Sequence, residues 1–286
     1  MPGRSIFRAM AETPLPKEIV LADSATKLGA DAMSAVIVTG SHGARYAAYL
    51  TLKAHPRAVI HNDAGIGKDS AGIGVIALAE ALGIAAATAS HASCRIGDAT
   101  DMIVRGRISH VNAVARSLGV REEMPCREAA LLLLAARPTG RDPEPIAEAR
   151  RTLKQPDWQR DIVLMDSASL ARPEDKGQIV VTASHGALVG GKASAALQVD
   201  GFAAVYNDAG VGIDRAGISR LPILDEAGVA GVTVSAQSAR IGDAQSAYED
   251  GVISHVNDVA RRLGASPGEP LEPRLLIWAK LPRVPR

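Results

Sequence analysis

The chain has 286 residues, 47% of them hydrophobic, and a formal net charge of +1 from 32 basic and 31 acidic side chains. That length supports one large domain or two moderate ones with a substantial core, and the charge balance gives no field to attract nucleic acid or an anionic membrane. Two cysteines, Cys94 and Cys126, supply neither a disulfide framework nor a paired-thiolate metal spacing.

From the N-terminus, MPGRSIFRAMAETPLP lacks the apolar run of a secretory signal, although its two arginines leave a weak transit-peptide pattern. A cytoplasmic, reducing setting is the expectation. The first strand-length apolar run, EIVLA from Glu18, ends at Asp23 and Ser24; AVIVT follows and ends at Ser41 and His42. The alanine-rich ARYAAYLTLKA reads as a helix, AVIH as a strand before the loop from Asn62 to Asp69, GVIALAEAL as a helix, and IAAATA as a strand before Ser90 to Asp98. The longest apolar run, Ala129 to Ala136, is too short to span a bilayer and reads as a buried helix.

The same order recurs further on. DIVLMDSA from Asp161 repeats EIVLADSA, IVVTASHGA from Ile179 repeats VIVTGSHGA, and RIGDA and ISHVN each occur twice. About half of the positions from Ile60 to Gly119 are identical to their counterparts from Val205 to Gly264. The expectation is a tandem duplication of a mostly parallel-sheet α/β unit with helices on both faces, its halves related by a pseudo-twofold. The predicted boundaries are a tail over residues 1–17, repeats over 18–136 and 161–281, a connector over 137–160, and a tail over 282–286. The connector, charged and proline-bearing, reads as exposed with one short helix in AEARRTLK.

All repeated polar motifs stand just beyond a strand, where open parallel sheets bind ligands. In NDAGxGxDxAG, Gly65, Gly67, Gly210 and Gly212 permit positive φ and close approach to a ligand, with Asn62 and Asn207 beside them. Asp63 and Asp208 are candidates to orient a proton or activate water. Asp69 and Asp214 read equally as site residues or helix caps, but Pro222 must lie in a first helical turn, which starts that helix near Ser219 or Arg220 and leaves Asp214 in the loop.

The SHG motif puts His42 and His185 beyond a strand as candidate acid/base groups, with Ser41 and Ser184 as ligand contacts; the structural alternative is a tight strand-to-helix turn. Arg95 and Arg240 are placed to hold an anion bidentately or to form structural ion pairs, whereas Asp98 and Asp243 read as caps. ISHVN reads as Ser-capped helices ending at Gly119 and Gly264. Lys68, His91 and Cys94 in the first half lack ionisable counterparts in the second, and a Cys94 nucleophile activated by His91 is a further candidate.

Dinucleotide and phosphate-loop fingerprints fail: Ser70 replaces the third glycine of GxGxxG, and Ala193 replaces the magnesium-holding hydroxyl in GALVGGKAS. No nucleotide cofactor is predicted; a divalent metal on Asp63, Asp69 and His42 is a variant. The expected function is an enzyme acting on a small polar, anionic metabolite by acid/base chemistry, a hydrolase before a lyase or isomerase. The alternative is a non-catalytic ligand-binding or regulatory protein using the same cleft. The expected partner is a small molecule, with no nucleic acid and no membrane; homo-oligomer formation stays open.

Overall fold

The computed structural model describes residues 14–193 and 199–283, so most of the predicted N-terminal tail, the Ser194 end of GALVGGKAS and the last three residues lie outside the described residues. In the first half, strands β1 (Ile19–Ala22), β2 (Val36–His42), β3 (Ala58–Asn62), β4 (Ala85–Ala89) and β5 (Ile108–Val111) form a sheet in sequential order. β1 to β4 are parallel and β5 is antiparallel. The helices are α1 (Arg45–Lys53), α2 (Val75–Ala81), α3 (Ala99–Arg105), α4 (Ala113–Ser117) and α5 (Cys126–Leu133).

The pleat explains why the strands are apolar throughout. Val36, Val38 and Ile60 pack with Met102 of α3 and Leu133 of α5, whereas Ile37 and Val59 pack with Leu52 of α1 and Val75 of α2. Successive residues thus enter two different cores, one on each face of the sheet.

In the second half, β6 (Arg150–Leu153), β7 (Ile162–Met165), β8 (Ile179–His185), β9 (Ala203–Asn207), β10 (Ala230–Val234) and β11 (Ile253–Val256) form a sheet ordered β11-β10-β9-β8-β7-β6. β7 to β10 are parallel and both outer strands are antiparallel. Its helices are α6 (Arg220–Glu226), α7 (Ala244–Asp250), α8 (Asp258–Arg262) and α9 (Leu271–Lys280). The α/β class with two mostly parallel sheets is as the sequence predicts, and α6 begins where Pro222 requires.

Two local expectations are corrected. The segment AEARRTLK contains β6, not a helix, because Arg150 to Leu153 pair with Met165 to Ile162 and extend the sheet edge. Tertiary pairing overrides the helical composition. ISHV is likewise a strand in each half, and the helix cap is Asn112 or Asn257, whose Oδ1 accepts from Ala115 N or Ala260 N at 2.9 Å. Ser109 and Ser254 instead hydrogen-bond Thr88 and Thr233 on the neighbouring strand.

The two halves meet through the loops at the strand ends. Ala44, Ala64 and Ile96 share a buried apolar cluster with Ala187, Ala209 and Ile241. The small side chains let the backbones come close: a Cβ on Gly65 would lie 2.8 Å from Gly210 Cα. Among the described residues no helix is long and apolar enough to cross a membrane.

Candidate functional site

The regular pairing of β2 with β3 breaks between Val38 and His42, and that of β8 with β9 breaks between Val181 and His185. Each irregularity re-aims the strand end toward the opposite half. The His42 and His185 rings consequently meet edge to face with centroids 6.3 Å apart. Each lies beside a glycine turn of the other half: a Cβ on Gly97 would sit 3.2 Å from His185 Cε1, and one on Gly242 3.6 Å from His42 Cε1.

Both rings line a cavity of about 140 Å³ between the halves. Ser24, Ser41, Ser167 and Ser184 share its wall with Lys27, Tyr46, Glu148, Asp166 and Arg220. Ser41 Oγ accepts from Ala25 N at 2.9 Å and Ser184 Oγ from Ala168 N at 3.0 Å, so the hydroxyls are fixed by the turns after β1 and β7.

The imidazoles are neutral. His42 Nδ1 accepts from Ala44 N, and His185 Nδ1 from Ala187 N, each at 3.3 Å, which leaves the ring proton on Nε2. Burial, reinforced by His61, pushes the His42 pKa down to about 3. Burial, then the Arg220 charge and the neighbouring His42 ring, holds His185 well below 6.5. His61 stands behind His42, with Nδ1 3.0 Å from the His42 carbonyl and Nε2 2.9 Å from Thr51 Oγ1, and burial lowers its pKa to about 4. Its counterpart Tyr206 carries the Arg220 guanidinium 4.7 Å from its ring centroid.

The remaining predicted residues lie elsewhere. Asp63 Oδ1 accepts from Gly65 N, His91 N and His91 Nδ1, and Asp208 Oδ1 accepts from Gly210 N and Ala236 N. These carboxylates organise the glycine loops and do not line the cavity. Although burial opposes it, His91's ring and backbone bonds and its charge hold the Asp63 pKa below the usual range; the ring bond to Asp63 in turn raises the His91 pKa. Asn62 and Asn207 close the same turns by accepting from Ala64 N and Ala209 N.

Ala64, Gly65, Ile66 and Gly67 all have positive φ, as do Ala209 to Gly212. The loop amides are spent inside the protein and not offered to a ligand: Ala64 N on Asn62, Gly65 N and Ile66 N on Asp63, Gly67 N on Gly65, and Lys68 N on Ala236. Gly67 faces Ala236 and Gly212 faces His91, so these glycines permit contact between halves.

Arg95 and Arg240 reach across the same junction. Arg95 Nη2 lies 2.8 Å from Asp214 Oδ2, Arg240 Nη1 2.9 Å from Asp69 Oδ2, and Lys68 Nζ 2.8 Å from Asp250. Asp98 and Asp243 cap α3 and α7. Cys94 Sγ donates to Ser90 O, and burial pushes its pKa up to about 12 while His91 is occupied by Asp63, so the Cys94–His91 pairing does not form. Among the described residues no group of three or more His, Cys, Asp or Glu side chains is placed to hold a metal ion. Asp63, Asp69 and His42 are engaged in separate places.

Sequence reasoning missed Glu148, Asp166, Tyr46 and Arg220. Asp166, with Ser24 and Ser167, stood in the repeated LADSA and LMDSA motifs and was within reach. Glu148 lies in the connector, and Arg220 stands where the first half has Val75, so neither carries a repeat signal.

Neither family models, nor curated proteins, nor solved structures match the chain.

Proposed function

We propose that the protein is an enzyme acting on a small polar, anionic metabolite in the cavity between its halves, with hydrolysis the first reaction class and elimination or isomerisation next. The observation that carries this reading is the pair of neutral imidazoles, ring centroids 6.3 Å apart, on one cavity wall. Neutral Nε2–H groups in a protected site donate to developing negative charge without losing hydration at the moment of reaction. An anion beside them favours their charged form and brings their pKa upward, toward the range useful for proton transfer. The equivalent placing of Ser41 and Ser184, and of His42 and His185, supports descent of both halves from one duplicated unit about a pseudo-twofold through this contact. The two free cysteines fit a reducing compartment such as the cytoplasm.

A second reading, non-catalytic binding, is favoured by one observation. Each histidine Nδ1 faces a backbone amide and not a carboxylate, so neither ring has the partner that usually activates a base. His42→Asn and His185→Asn separate the readings in a hydrolysis screen over small carboxylate esters, amides and phosphate monoesters. The enzyme reading expects turnover to fall about 100-fold or more with binding of the same compound little changed. Binding lost in parallel, or no turnover by the unsubstituted protein on any compound that binds, favours the second.

A further inference from the structure

Resting on the cavity as the ligand site, we propose that its ligand is a small zwitterion, with an anionic group against His42, His185 and Arg220 and an ammonium group against Glu148 and Asp166. The wall carries both signs of charge, Arg220 and Lys27 together with Glu148 and Asp166. His185 is only 7% exposed, and no described residue hydrogen-bonds its Nε2, so a buried donor is offered to the cavity. The Arg220 guanidinium is the cation that acts on His185.

On the same wall Glu148 stands beside Tyr46 of the first half and Ser167 of the second; burial and the neighbouring Asp166 charge push its pKa up, against the pull of those two hydroxyls. Asp166 accepts from Ala244 N and Ala149 N at 2.9 and 2.7 Å. Neither carboxylate has a lysine or arginine partner among the described residues, whereas Asp69, Asp101, Asp175 and Asp214 all do. Two adjacent carboxylates facing a cavity without an intervening cation favour a cationic ligand group. Lys27 also lines the wall but forms no ion pair with either carboxylate among the described residues. An apolar cavity of about 150 Å³ takes benzene, so the volume of about 140 Å³ suits a ligand of similar size.

The test is calorimetric titration of the full chain with glycine, β-alanine, γ-aminobutyrate and 5-aminovalerate. Acetate to valerate, the matching alkylamines, and succinate serve as controls. The expected result is binding of at least one amino acid, at least tenfold tighter than the carboxylate or amine of equal length. Glu148→Gln is expected to remove that advantage, and Tyr46→Phe, which deletes a hydroxyl partner of Glu148, to reduce it. Succinate or a monocarboxylate binding as tightly as the amino acid, with affinity lost in His185→Asn, overturns the zwitterion while leaving the anion site standing. Amino-acid binding unchanged in Glu148→Gln also overturns it. Binding of no probe overturns this inference, and hydrolysis of another compound class that depends on His42 and His185 would then still uphold the proposed function.

Discussion

Gly65 shows how much of the repeated glycine motif serves contact between backbones. Its φ is +75° and a Cβ there would lie 2.8 Å from Gly210 Cα and 2.9 Å from Gly210 N. Gly140 has φ +66° with nothing within 4 Å of the same construction. The pair separates conformational strain from collision. Gly140→Ala is expected to cost about 1 kcal/mol, the strain of a left-handed alanine, and Gly65→Ala about 3 kcal/mol because backbone must move as well. Urea unfolding of both variants measures the difference; equal costs would mean that the halves do not press together at Gly65. The same residue scale explains what the sequence disclosed. Polar identity kept in both halves marked positions with a fixed geometric task, and His42, Ser41, Asp63 and Arg95 all have one. Which tasks face a cavity and which face the opposite backbone depends on how the halves dock, and no spacing along the chain encodes that.

At the scale of elements, strand runs were legible because their residues enter two cores and are apolar on both faces. β5 and β11 were not, since ISHV is a four-residue edge strand whose Ser and His lie partly exposed, and Asn three residues after Ser imitates a capping pattern. β6 was hidden for another reason: its helix-compatible residues become a strand only by pairing with β7. One side-chain contact fixes it there. Arg150 Nη2 bonds Asp175 Oδ1, with side chains 16% and 2% exposed, and Asp175 Oδ2 accepts from Arg172 N. Arg150→Ala would leave the Asp175 carboxylate buried without its cation, a loss expected to cost about 3 kcal/mol. The local signature is faster amide hydrogen exchange in Arg150–Leu153 than in the central strands. Uniform acceleration across the sheet, or none, would deny β6 its dependence on this pair. Because Glu148 and Ala149 lead directly into β6, docking of this strand also sets the cavity wall.

For the whole molecule, burial of three imidazoles predicts how stability varies with acidity. His42 is lowered to about 3 and His61 to about 4, while His185 stays well below its ordinary value, desolvation being the leading cause for each. An unfolded chain takes up these protons near pH 6.5 and the folded one does not. Between pH 6.5 and 4 the unfolded state therefore binds more protons, so stability falls as pH falls, by up to about 1.4 kcal/mol per pH unit for each histidine. His91 acts in the opposite sense. Its pKa is raised by the bond to Asp63, so its contribution is present below pH 6.5 and is lost as pH rises through the folded value. Asp63, lowered, contributes above its unfolded value and loses that contribution only as pH falls through the folded one. With His255 also lowered by burial, four histidines against one give a net curve that climbs steeply from pH 4 to about 6.5 and then flattens with a slight decline. Urea midpoints measured from pH 4.5 to 8 test this, and His61→Gln, which is away from the cavity wall, should reduce the acid slope by about one quarter. A midpoint that is flat, or highest near pH 5, would mean that the rings are solvated and protonated in the folded protein, and would remove the physical basis for neutral donors at the junction of the two halves.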